Sequence, residues 1–145
     1  MFLNPPPPWH LRPIAFLAVL WGGAGAADHL LRQLGLAGRY PEGAATVWAE
    51  AAAAFPAWAA TAWAVGVWAG LLGAVLLWMR ERFAPIVLAV AALGVILALI
   101  GRTIGTDPGT DDPVVIRVMA GSGAFALLLW LYARRMRRNA VLGTP

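Results

Sequence analysis

Four long apolar blocks, separated by short polar segments, constrain this chain more than any other feature of its sequence. A transmembrane helix needs about 20 predominantly apolar residues, and the blocks lie at about residues 13–31, 55–79, 84–101 and 113–133. Only 12% of the 145 residues are charged, about half the share in a soluble domain. Because so few polar side chains cannot cover a water-facing surface, we expect one all-α membrane domain, residues 1–145, built as a four-transmembrane-helix bundle.

Prolines mark the start of each block, at Pro13, Pro56, Pro85 and Pro113. Proline is tolerated in the first turn of a helix, where its missing N–H removes no intrahelical hydrogen bond. Only residues 80–83 separate the second block from the third, and this spacing predicts an antiparallel hairpin of two helices.

The segment between the first two blocks, residues 41–54, is too polar to span a bilayer. Val47 and Trp48 lie on one side of a helix drawn through it, which predicts a short interfacial helix on the outer surface. The first block has an alternative interpretation. Residues 14–21, followed by Ala24, Gly25 and Ala26, resemble a secretory signal peptide and its cleavage site; cleavage would leave three spans.

Arginine distribution predicts the orientation, because basic residues concentrate on the cytoplasmic side of membrane proteins. All eleven basic residues are arginines. The chain ends and the middle loop contain seven of them: Arg12, Arg80, Arg82, Arg134, Arg135, Arg137 and Arg138. The two other loops contain four: Arg32, Arg39, Arg102 and Arg117. Both termini are therefore predicted to be cytoplasmic. With the Ala- and Gly-rich composition, arginine without lysine is typical of a GC-rich bacterial genome, which places the chain in a bacterial inner membrane.

The arginines after the fourth block form a polybasic cluster: Arg134, Arg135, Arg137 and Arg138. Such a cluster attracts anionic lipid by about 1 kcal/mol per arginine near the surface. We expect the bilayer, including its anionic lipids, to be a partner of this chain, and we expect no nucleic-acid partner.

Small residues recur at intervals of three and four along each block. In lipid, such residues let helices approach closely. The glycines expected to pack helices together are Gly22, Gly66, Gly70, Gly73 and Gly94. Trp58 and Trp78, which are 20 residues apart on the second block, are spaced about 30 Å apart along a helix and fit the two aromatic belts of a bilayer.

Charged residues gather at the predicted outer ends of the helices and form a candidate polar mouth: Asp28, His29, Arg32, Arg102 and Arg117. Arg117 lies one turn inside the fourth block and is the charged residue placed deepest in a predicted span, so it needs a partner. We expect an interhelical contact from Arg117 to Asp28, or failing that to Glu50. Two interpretations stay open. The mouth is a structural clamp between the first and fourth helices, or it binds a small anion or a quinone-type head group.

The chain has no cysteine, and no spacing of histidines, acids or nucleophiles indicates a catalytic or metal site. His10 and His29 fall on opposite sides of the membrane in the predicted topology. Thr61 and Ser122 are the polar side chains well inside the blocks, and both are expected to bond their own helix backbone. We therefore expect neither enzymatic activity nor a cofactor, and the apolar interior argues against an ion-coupled carrier.

A resemblance to a known family is found in the segments FPAW at 55–58, WAVGVW at 63–68, LG at 72–73 and RERFAP at 80–85. They resemble the pattern FPxW, WAxGVWxGxLG and RxRxAxP of small bacterial four-helix inner-membrane proteins, over about the first three spans. Asp28 matches an aspartate late in the first helix of that family. Some members are labelled sugar transporters, so the resemblance implies transport of a sugar-like solute.

The residues themselves favour a non-enzymatic structural or accessory subunit that packs against lipid, another membrane protein or a second copy of itself. A small-solute transporter acting as an oligomer is one alternative. A quinone-binding or redox-complex accessory subunit is another.

Overall fold

A computed structural model describes the chain over residues 7–36, 56–105 and 113–142. This part of the chain forms four α-helices: α1 (Leu11–Gln33), α2 (Ala57–Trp78), α3 (Ala84–Gly105) and α4 (Pro113–Arg138). All four are long and apolar enough to cross a membrane. A helix satisfies its own backbone hydrogen bonds, which is the condition for crossing lipid. The chain is thus an all-α, multi-pass membrane protein, and the fold class predicted from the four blocks is confirmed.

The four prolines lie where the helices begin. Pro56 immediately precedes α2, Pro85 is the second residue of α3, Pro113 opens α4, and Pro13 lies in the first turn of α1. The predicted interfacial helix at residues 41–54 lies outside the described residues.

Two helices continue at least four residues beyond the predicted ends of their spans. The third extends to Gly105 and the fourth to Arg138, whereas the apolar blocks end at about residues 101 and 133. Hydropathy detects where the lipid-facing segment ends, but a helix does not need to stop there. Arginine is a good helix former, so the polybasic cluster continues the helix.

The central unit is an antiparallel pair of α2 and α3. Ala59 lies next to Gly101, Gly66 next to Gly94, and Gly73 next to Leu88. The two backbones come closest at Gly94, where a Cβ atom would lie 2.7 Å from the backbone nitrogen of Gly66. Glycine is required there because backbone meets backbone.

The outer helices pack on either side of this pair. On one side α1 crosses α2 at Gly22, where a Cβ atom would lie 2.9 Å from the Cα atom of Leu71. On the other side α4 packs on α3, with Gly123 near Val95. Each helix therefore packs mainly on its neighbour in the chain, while α1 and α4 scarcely approach each other over their described lengths.

Most of the buried core lies at one end of the bundle, which we call the turn end because it contains the turn at residues 79–83. Leu11, Leu77 and Leu88 are buried there. After α4 the chain reverses at Ala140, whose φ is 54°, and places Leu142 in the same core. The Arg80 guanidinium fastens this reversal by donating two hydrogen bonds, of 3.1 and 3.2 Å, to the carbonyl oxygen of Val141.

Candidate functional site: an apolar cleft between α1 and α4

A cleft of about 270 Å³ separates α1 from α4. It is about twice the size of the apolar cavity of about 150 Å³ that holds one benzene. Side chains bridge the two helices at two levels. At the turn end, the Nδ1 atom of His10 lies 2.7 Å from the hydroxyl oxygen of Tyr132, within hydrogen-bonding distance. Near the middle, the rings of Trp21 and Phe125 meet edge to face with centroids 5.8 Å apart.

All four helices contribute to the walls, and nearly all of the lining is apolar. The lining residues are Ala18, Trp21, Gly22, Ala24, Gly25, Asp28, Arg32, Trp63, Gly66, Val67, Gly70, Leu88, Ala91, Val95, Val118, Ser122, Phe125, Ala126 and Leu129. Alanine and glycine supply most of the α1 wall, and their small side chains leave the volume unfilled.

The cleft is elongated along α1. Its lining on that helix extends from Ala18 to Arg32, a rise of about 21 Å at 1.5 Å per residue. The buried side chains of Leu88 and Leu129 close it toward the turn end. The opposite end, which we call the mouth, contains the ion pair of Asp28 and Arg32.

Polar groups of the cleft satisfy one another locally. Asp28 and Arg32 form an i,i+4 ion pair, and their side chains are 25% and 22% exposed. On the α4 wall the Ser122 hydroxyl donates a hydrogen bond of 2.8 Å to the carbonyl oxygen of Val118. Thr61 on α2 likewise donates to the carbonyl oxygen of Ala57. The backbone bonding predicted for Ser122 and Thr61 is therefore confirmed.

The predicted polar mouth is only partly assembled. Asp28 and Arg32 lie together at the cleft, but His29 points toward α2, where its ring meets that of Trp68 edge to face. Arg102 is buried at the end of α3, with 4% of its surface exposed, and it does not line the cleft. Arg117 is exposed.

Arg117 is not the buried charge of the bundle. It is exposed, whereas the most deeply buried described charge is Arg102, and the ion pair shown for Asp28 is with Arg32. The reason is helical phase. Val115 and Met119 are both buried, and a residue two positions away from each lies about 200° round the helix. Arg117 therefore faces outward, and the other predicted partner, Glu50, lies outside the described residues.

The sequence contains a pattern that indicates the burial of Arg102. It follows Ala98 by four residues, and Ala98 is fully buried on the small-residue face of α3. Residues four apart share a helix face, so Arg102 continues that face into the bundle.

Four of the five predicted packing glycines lie at close approaches. Gly22, Gly66 and Gly94 lie where backbones meet, and a Cβ atom at Gly73 would lie 2.7 Å from the side chain of Leu88. Gly70 differs, because a Cβ atom there would meet its nearest described neighbour, Ala91, only at 3.9 Å. Gly70 instead lines the cleft.

The polybasic cluster forms the last two turns of α4 at the turn end. Arg134, Arg135, Arg137 and Arg138 are exposed, while Met136 between them is buried. The Arg134 guanidinium lies over the ring of Trp130, 5.6 Å from its centroid. The cluster thus faces the bundle's surroundings at the end opposite to the mouth of the cleft.

The cleft itself and the contact between His10 and Tyr132 were not predicted from the sequence. The sequence shows small residues on α1 and α4, but it does not show whether two such faces meet or remain apart. No family model matches the chain, and no curated protein or solved structure is detectably similar to it.

Proposed function

We propose that the protein is a non-enzymatic accessory component of a bacterial inner membrane, and that it binds an apolar component of the bilayer in the cleft between α1 and α4. One observation supports this proposal above the others. The cleft separates two membrane-spanning helices, has an almost entirely apolar lining, and ends at a pair of charges. A membrane-resident molecule or partner segment can enter it without leaving lipid.

The alternative implied by the family resemblance, transport of a sugar-like solute, has less support. A hydroxyl-rich ligand loses its hydrogen bonds to water on entering a site and needs protein groups to replace them. In the described cleft, the Ser122 hydroxyl already donates to its own helix, and the charged pair of Asp28 and Arg32 lies only at the mouth. An apolar occupant avoids that penalty.

The test is to fill the cleft and ask whether a bound component is lost. Gly70→Leu places a side chain in the cleft from a position where a Cβ atom meets no described atom closer than 3.9 Å. Gly121→Leu is the matched control, because a Cβ atom there meets no described atom within 4 Å and Gly121 does not line the cleft. Each variant is tagged at native expression and purified in mild detergent, and copurifying proteins and extractable lipids and quinones are identified.

We expect at least one component to be retained by the unmodified chain and by Gly121→Leu, and to fall at least fivefold in Gly70→Leu. Equal recovery from all three would contradict the proposal. Saturable flux of a sugar or another polar solute in liposomes, blocked by Gly70→Leu, would establish the transporter alternative in its place.

The proposed orientation, with both termini cytoplasmic, has its own test. Because the chain lacks cysteine, single cysteines report accessibility without background. Thr103 and Asn139 are both exposed and lie at opposite ends of the bundle. A membrane-impermeant maleimide is expected to label Thr103→Cys in intact spheroplasts, and to label Asn139→Cys at least tenfold more after lysis. The reverse pattern would invert the topology.

A further inference from the structure

We propose that the cleft holds one acyl chain of a zwitterionic phospholipid, whose phosphate contacts Arg32 and whose ammonium contacts Asp28. This inference rests on the proposed function and specifies the occupant. Three properties of the described cleft support it: its shape, its position between membrane-spanning helices, and the arrangement of charge at its mouth.

The shape of the cleft fits an acyl chain. The cleft follows α1 from Ala18 to Arg32, a rise of about 21 Å, with a volume of about 270 Å³. The lining is longer on α1 and α4 than on α2 and α3, where it extends only from Trp63 to Gly70 and from Leu88 to Val95. A lining extended along α1 can hold a flexible hydrocarbon chain lying along that helix.

The position fits a molecule that comes from the bilayer. Over their described lengths the backbones of α1 and α4 scarcely approach each other, so the cleft lies between two helices that are each long and apolar enough to cross a membrane. Leu88 and Leu129 close its deep end. An acyl chain that entered between α1 and α4 would exchange its contacts with lipid for contacts with protein. The head group of the same phospholipid would then lie at the mouth.

The charges at the mouth favour a head group with both signs. Asp28 and Arg32 lie one helical turn apart and each keeps about a quarter of its side-chain surface exposed, at 25% and 22%. A phosphate next to an ammonium presents the complementary pair, so each lipid charge meets one of opposite sign. Guanidinium also binds phosphate well through its fixed fork of donors. An anionic head group without an ammonium would instead place negative charge next to Asp28.

The turn end and the mouth of the cleft differ in the charges of their described residues. The turn end has Arg134, Arg135, Arg137 and Arg138 exposed, which suits anionic lipid. Among the described residues that line the cleft, the mouth has one acid, Asp28, and one base, Arg32. In the proposed orientation the mouth opens toward the outer leaflet, so the bound phospholipid would come from that leaflet.

The test uses native mass spectrometry of the delipidated full chain in detergent, titrated with dioleoylphosphatidylethanolamine or dioleoylphosphatidylglycerol. The two probes have identical chains and differ in the head group. We expect one phosphatidylethanolamine to bind per chain, at least fivefold more tightly than phosphatidylglycerol. Asp28→Asn is expected to reduce that preference to less than twofold, because the contact to the ammonium weakens. Arg32→Gln is expected to weaken the binding of both probes by at least threefold.

Gly70→Leu is expected to weaken the binding of both lipids at least tenfold, while Gly121→Leu leaves the binding of both unchanged. Thermal melts verify that the variants fold. Should Gly70→Leu fail to fold, Ala126→Leu fills the same cleft from α4. Equal binding of the two lipids, or binding that neither cleft-filling variant reduces, would overturn the inference.

The outcomes separate this inference from the proposed function. If filling the cleft displaces a partner protein or a quinone but leaves phosphatidylethanolamine binding unchanged, the phospholipid inference fails and the proposed function stands. If filling the cleft changes the binding of no component, both fail.

Discussion

Gly94→Leu is expected to prevent normal packing of α2 against α3 and to lower the stability of the bundle by at least about 3 kcal/mol, at the upper end of overpacking effects. A Cβ atom at Gly94 would lie 2.7 Å from both the carbonyl oxygen of Ala62 and the backbone nitrogen of Gly66. Backbone atoms cannot rotate away as a flexible side chain can, so the helices must separate. The measurement is thermal or denaturant unfolding in detergent, followed by circular dichroism.

Gly121→Leu is the control for this substitution as well. Gly121 also lies within a helix, and a Cβ atom there meets no described atom within 4 Å. We expect it to be neutral or slightly stabilising, because leucine has a better helix propensity than glycine by several tenths of a kcal/mol. Equal melting temperatures for the Gly94→Leu and Gly121→Leu variants would show that the backbones of α2 and α3 do not meet closely at Gly94.

Leu142→Ala is expected to lower stability by about 2–4 kcal/mol, within the usual range for truncating a buried leucine. Leu142 follows the end of α4, yet only 2% of its surface is exposed, and it packs with Leu11, Leu77 and Met136 in the core of the turn end. Removing its side chain opens a cavity beneath the chain reversal that Arg80 fastens. Unfolding in detergent measures the loss.

Leu128→Ala provides the comparison, because Leu128 lies on α4 with 64% of its surface exposed. Lipid and detergent contact an exposed leucine and an exposed alanine almost equally well, so we expect a change within about 0.5 kcal/mol. If Leu142→Ala lowers the stability no more than Leu128→Ala does, the segment after α4 is not part of the core.

Much of the fold could be predicted from local properties of the sequence. The length and hydropathy of four blocks determine that four helices form, and the prolines at positions 56, 85 and 113 indicate within two residues where three of them begin. The spacing of small residues indicated Gly66 and Gly94 as packing positions, and the structure places them next to each other. These features succeed because helix formation in lipid depends on the segment itself.

The candidate site was predicted less well. Asp28 and Arg32 were identifiable because an i,i+4 pair lies within one helix. Arg117 was assigned to the interior by its depth in the sequence, although its phase relative to Val115 and Met119 places it outside. Depth along a helix and rotation about its axis are separate quantities, and only rotation decides which side chains face the bundle.

By itself, the sequence determined an all-α membrane protein with four spanning helices, their approximate ends, and most of the glycines at which helices pack. Only the tertiary structure decided that the backbones of α1 and α4 remain apart while side chains bridge them, that Leu142 returns to the core, and that Arg102 is the most buried described charge. The physical reason is that a helix is stabilised by bonds between residues four apart. The width of the cleft instead depends on how side chains from all four helices fill the space between them.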